Sequence, residues 1–124
     1  MTTKTWRTTA AAGLVLLTGA LMALFGAGFR FYVVQTPSMG TTAPVGTLVA
    51  VHAKGSYAVG DVISYERNDR TYTHRIVEVS ATGFTTKGDL NGAADALPVR
   101  PAEIVGAVTF YGTYLGFHVE ALPW

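Results

Sequence analysis

Ala10 to Phe29 is a run of 20 residues without a charged side chain. As a helix rising 1.5 Å per residue it would be about 30 Å long, the thickness of a bilayer's hydrocarbon core. Lys4 and Arg7 precede it and only Arg30 follows closely. By the positive-inside rule the N-terminus lies in the cytoplasm and the remainder outside. A cleaved leader would have a shorter apolar stretch, about 7–15 residues, and a small-x-small cleavage site, of which Ala27-Gly28-Phe29 is a poor version. The run therefore predicts a retained single-pass anchor. It divides the chain into a cytoplasmic N-terminus (1–9), a transmembrane helix (10–30) and an extracytoplasmic domain (31–124).

That domain has about 90 residues, enough for one small core. Cysteine is absent, which excludes disulfides, thiolate metal sites and cysteine nucleophiles. Net charge is +1, with Lys and Arg scattered and no basic patch, so no nucleic-acid partner is implied. Short β-rich runs dominate: Thr47 to His52, Val62 to Arg67, Thr71 to Val79, Phe84 to Lys87 and Ile104 to Tyr111. Asn68-Asp69 has the chemistry of a tight hairpin turn, and Asp89 to Ala96 reads as a polar loop. The pattern predicts a mainly β fold, a small antiparallel roll or partly open barrel behind one N-terminal transmembrane helix. Thr109 to Trp124 is aromatic-rich and nearly uncharged, and is expected to be a final strand and tail rather than an interfacial segment.

Ser38 lies nine residues past the apolar run, and Pro37 stiffens the backbone leading into it. A serine hydroxyl needs a base to become a nucleophile, and histidine is the usual one. Of His52, His74 and His118, His74 lies within a β-rich run that would hold it rigidly, His52 ends a strand and looks exposed, and His118 is near the C-terminus. Their spacing makes a poor metal site. Asp89 and Asp95 lie in the polar loop, and either carboxylate would serve behind such a base. Taken singly, each residue has an ordinary structural reading: solvated hydroxyl, core imidazole, turn aspartate.

In combination these segments resemble the type I signal peptidases, in particular the Ser-His branch of archaea, the endoplasmic reticulum and some Gram-positive bacteria. Thr36-Pro37-Ser38-Met39-Gly40-Thr41-Thr42 is similar to the family's first box, usually S-G-S-M-E-P-T, and Pro44 to Val49 continue it. Thr73-His74-Arg75-Ile76-Val77 is similar to the box bearing the base. Thr86-Lys87-Gly88-Asp89-Leu90-Asn91, with Asp95 six residues past Asp89, resembles the K-G-D-x-N…D loop. The likeness runs in collinear order from Thr36 to Val108.

The resemblance implies a serine endopeptidase acting on the signal peptides of exported preproteins, at a lipid membrane, without cofactor or metal. It implies Ser38 as nucleophile and His74 as general base. It implies Asp95 as third member, with Asp89 as its neighbour in the K-G-D turn, and an oxyanion hole formed by the Ser38 N–H with help from the Thr36 hydroxyl. Two departures stand out, Thr36-Pro37 for Ser-Gly and Gly40-Thr41 for Glu-Pro. The second is expected to loosen the turn after Ser38. Two other readings are a non-catalytic, membrane-tethered β module of a secretion or surface-fibre pathway, and a Ser-Lys peptidase of the self-cleaving repressor type with Lys54 or Lys87 as base.

Overall fold

The structure, a computed structural model, describes residues 3–112. His118 and most of the aromatic C-terminal stretch lie outside the described residues. Helix α1 (Thr3–Gly26) is followed by six strands, β1 (Phe29–Val33), β2 (Leu48–His52), β3 (Val62–Arg67), β4 (Arg70–Ser80), β5 (Gly83–Lys87) and β6 (Ile104–Gly112). The architecture is mainly β, an open antiparallel sheet in the order β1-β2-β6-β3-β4-β5.

Helix α1 is long and apolar enough to cross a membrane, and every residue from 4 to 26 is exposed. Three of its threonine hydroxyls turn back onto the helix: Thr8 donates to the Thr5 carbonyl at 2.9 Å, Thr9 to Thr5 at 2.9 Å and Thr18 to Leu14 at 2.8 Å. No hydroxyl of these three is left seeking water, so the surface presented outward is apolar nearly all round.

The helix ends earlier than the apolar run suggests. Phe29 and Arg30 belong to β1, a strand that the sequence pattern does not separate from the apolar run before it. The joint is fixed by side chains reaching the last carbonyls. Arg30 Nη1 donates to the Phe29 carbonyl at 2.9 Å and lies with its guanidinium carbon 3.9 Å from the Phe25 ring centre. His52 Nε2 lies 3.0 Å from the Ala27 carbonyl and its ring packs on Phe29, centroids 4.6 Å apart. His52 is thus half-buried at the joint rather than exposed, because β1 and β2 pair Phe29 with His52. A cation near a helix C-terminus also suits the partial negative charge there.

Val62 and Ile63 are adjacent on β3 and both buried, yet they belong to different clusters. Successive strand residues point to opposite faces, so the sheet is covered on both. Val34, Met39, Ala43, Val49, Val51 and Val62 form one cluster. Ile63, Tyr65, Ile76, Val99 and Ala107 form the other. Register shifts at Ala50/Val51, Ser64/Tyr65 and Ile76/Glu78 mark irregularities that bend the ladders.

The β3–β4 hairpin turns on Asn68 and Asp69, with φ of 53° and 60°. Two consecutive positive φ values define the type I′ turn, whose twist matches that of the flanking strands. Left-handed backbone is costly for residues with a branched Cβ, and asparagine and aspartate tolerate it best. Asn68→Val is therefore expected to destabilise the fold by about 1–2 kcal/mol, while Asp69→Gly leaves it as stable or more so. Urea unfolding checks both, and a valine tolerated at 68 would contradict the turn assignment.

Candidate active site

The nucleophile candidate sits on a single 3-10 turn, Pro37–Met39, entered through Thr36 in extended conformation (φ −125°, ψ 154°). Met39 is 1 % exposed and packs in the first core cluster, so the turn is pinned from beneath. The Thr42 N–H donates to the Met39 carbonyl at 3.1 Å, and Gly40 has φ 56° and ψ −131°. That is the first central position of a type II′ turn, which needs glycine. Gly40 is thus a requirement of the turn that leaves Ser38, and the expected loosening is not what the geometry gives.

The segment after β5 forms the other wall. The Leu90 N–H donates to the Ser38 carbonyl at 2.9 Å, and the Asn91 N–H to Gly88 at 2.9 Å. A Cβ on Gly88 would stand 2.6 Å from the Ser38 carbonyl oxygen and 3.0 Å from its Cβ. Only glycine lets the two backbones come this close. The chain then runs back along the outer side of β5. The Asp95 N–H donates to the Thr86 carbonyl at 2.8 Å, and Phe84 and Val99 exchange N–H···O bonds at 2.9 and 2.7 Å.

His74 lies on β4 opposite Ile63, just beyond the Arg75–Lys87 pair where β5 ends. Its side chain is 11 % exposed. Nδ1 is 2.6 Å from Asp95 Oδ2, and Nε2 is 3.0 Å from Ser38 Oγ. An ionised carboxylate only accepts, so against one Nδ1 carries the proton, and in the neutral imidazole Nε2 is then the acceptor. Ser38 therefore donates to Nε2. The Thr36 hydroxyl, 3.1 Å from Ser38 Oγ, is left to donate to that oxygen. The three residues form one line, carboxylate to imidazole to hydroxyl, with the hydroxyl oxygen also held by the Thr36 side chain.

Of the two aspartates, Asp95 meets the imidazole and Asp89 does not. Asp89 accepts from Arg75 Nε and Nη2, each at 2.8 Å, and from the Thr42 hydroxyl at 2.6 Å. Arg75 also donates to the Gly60 carbonyl at 2.8 Å. Asp89 thus ties the turn after Ser38 to the strand that carries His74, and it acts through position, not contact. Three residues of this site carry no role in the sequence reading: Arg75, Thr42 and Thr86. Thr86 is fully buried and its hydroxyl donates to Asp95 Oδ2 at 2.7 Å. The available signal was a lone arginine beside the histidine and two acids in one loop, of which only one can pair with it.

The lysines of the Ser-Lys reading are engaged elsewhere. Lys54 Nζ is 2.6 Å from Asp61 Oδ2, and Lys87 Nζ donates to the Gly88 carbonyl at 3.5 Å. Among the described residues, no group of three or more His, Asp or Glu side chains is placed to hold a metal ion.

The Arg75 guanidinium holds the Asp89 carboxyl down at about 2, from an ordinary value of 3.8, with the Thr42 hydroxyl adding to the effect. A depressed carboxyl contributes stability that is fully present above about pH 4 and is lost as pH falls through about 2. Asp89→Asn is expected to unfold at lower urea than the parent at neutral pH, with the two midpoints converging between pH 4 and pH 2. A gap that widens toward acid would contradict the ion pair. The chain matches no protein-family model, and no curated protein matches it.

Proposed function

We propose that this chain is a membrane-anchored serine endopeptidase that removes signal peptides from exported preproteins. The observation that carries the reading is the line of contacts Asp95–His74–Ser38, at 2.6 and 3.0 Å, in an order that the resemblance to type I signal peptidases implies. The reaction follows from that order. Ser38 Oγ attacks the scissile carbonyl carbon as its proton passes to His74 Nε2. Asp95 holds the ring with Nδ1 protonated and stabilises the imidazolium as it forms. The imidazolium then returns its proton to the departing amine, leaving the signal peptide's carbonyl as an ester on Ser38. A water, deprotonated by the same imidazole, hydrolyses that ester and restores the serine.

The tetrahedral oxyanion would lie against the Ser38 N–H and the Thr36 hydroxyl. One such donor typically supplies about 2.7–4 kcal/mol of transition-state stabilisation. Pro37 removes its own N–H and leaves that of Ser38 in place. The substrate would lie as an extended strand, its backbone giving affinity and shallow pockets giving the preference for small residues, usually alanine, one and three positions before the cut. With α1 across the membrane, Lys4 and Arg7 on the cytoplasmic side and the sheet outside, Ser38 stands near the surface where the cut site emerges. That placement raises the effective concentration of substrate without adding a contact. A non-catalytic tethered module gives no reason for a half-buried serine bonded directly to a carboxylate-backed histidine.

The test is cleavage of a preprotein bearing an Ala-x-Ala site by the full chain in detergent or liposomes. Ser38→Ala and His74→Ala are each expected to lower kcat by about 10⁴-fold or more, and Asp95→Asn by up to about 10⁴-fold, with folding retained. A well-folded parent that cleaves none of several such substrates would overturn the proposal, as would a Ser38→Ala variant that cleaves normally.

A further inference from the structure

Asp95 is held by its backbone and its carboxylate, and both holds come from the same residue. Its N–H donates to the Thr86 carbonyl at 2.8 Å, and the Thr86 hydroxyl donates to its Oδ2 at 2.7 Å. Oδ2 is also the oxygen that accepts from His74 Nδ1 at 2.6 Å. The backbone bond fixes where Asp95 stands. It does not fix the plane of the carboxylate, because the terminal torsion of aspartate is broad and roughly two-fold. The Asp95 side chain is 24 % exposed, so water competes for its oxygens. Some fixed donor must select which oxygen faces the imidazole.

Thr86 has the properties of such a donor. It is fully buried on β5 and paired with Ile76 of β4, so its backbone is rigid. Its Cβ is branched, which leaves few side-chain rotamers. The Tyr65 phenol lies within hydrogen-bonding range of it, and with Tyr65 at 4 % and Thr86 at 0 % exposure the hydroxyl is shut away from solvent. We infer that Thr86 is a positioning residue: its hydroxyl sets the carboxylate plane of Asp95, and through it the orientation of the His74 ring toward Ser38. For catalysis the inference rests on the peptidase reading; for geometry it does not.

The experiment compares four full-length proteins in detergent: parent, Thr86→Val, Thr86→Ala and Thr86→Ser. Valine keeps the shape and removes the donor. Serine and alanine differ only in the hydroxyl, so that pair decides the question if the valine variant fails to fold. Two readouts are taken, kcat and KM on an Ala-x-Ala preprotein, and the low-field proton resonance of His74 Nδ1–H. Without the hydroxyl, kcat is expected to fall about 10- to 100-fold at nearly constant KM, the range of one hydrogen bond to a charged group. Thr86→Ser is expected to recover most of it. The Nδ1–H resonance is expected in parent and Thr86→Ser and to shift upfield or vanish by exchange in Thr86→Val and Thr86→Ala.

A resonance and a kcat unmoved by loss of the hydroxyl would show that it only satisfies its own buried polar group, overturning the inference. The resonance needs no substrate. A parent that cleaves nothing but loses the signal in Thr86→Val would sink the peptidase reading and leave the positioning role standing.

Discussion

The site depends on one close approach of backbones, the Gly88–Leu90 segment against the carbonyl of Ser38. Ser38 precedes β2, while His74 lies on β4 at the far side of the sheet order, 36 residues later. Nothing local joins them. Besides their own 3.0 Å contact, the Leu90 N–H holds the Ser38 carbonyl against the loop after β5, an approach made possible because position 88 has no side chain. The same segment carries Asp89, whose carboxylate clamps Arg75 on β4 and Thr42 beyond the serine turn. It then delivers Asp95 alongside β5. A loop of eight residues, 88–95, thus brings together Ser38, His74 and Asp95 from separate parts of the chain.

The helix and the sheet are coupled as closely. Two residues separate Gly26 from Phe29, so β1 begins where α1 stops. Arg30 and His52 bond the carbonyls at that junction, one from the strand itself and one from its neighbour. β1 in turn leads through Val34, a core residue, to the serine turn. The distance from the end of the apolar helix to Ser38 is therefore set by one short strand rather than a free linker. Under the proposed reading, in which α1 crosses a membrane, that short connection would set how far Ser38 stands from the bilayer.

Much of this was legible in the sequence, and the reasons differ by element. The five later strands announce themselves through β-branched and aromatic runs, and the hairpin through Asn68-Asp69, because these are local signals. β1 was not legible, since Phe29 and Arg30 read as the end of the anchor and leave only Phe31 to Val33, too short to stand out as a strand. The half-buried state of His52 was missed for the same reason, as its cover is β1. Ser38 and His74 were legible as candidates, but only their order suggested that they meet. The choice between Asp89 and Asp95 rests on three-dimensional pairing: Arg75 follows His74 on the strand and takes Asp89, leaving Asp95 for the imidazole. Gly40 looked like a weakened motif and is a turn requirement, which only the dihedral angles reveal. Thr86 had no local signal, since a buried threonine in a strand is ordinary until its partner is known.

If Ser38 Oγ attacks the scissile carbonyl, as proposed, the attack leaves an ester on that residue. Trapping that ester would identify the attacking atom. A preprotein analogue with an ester in place of the scissile amide, quenched in acid within the first turnovers, should leave its carbonyl portion attached to the enzyme. Mass spectrometry of the digested protein is predicted to find that added mass on the peptide containing Ser38, and to find none when His74 is replaced by alanine. Cleavage with no adduct, or an adduct on any other residue, would rule out Ser38 as the nucleophile.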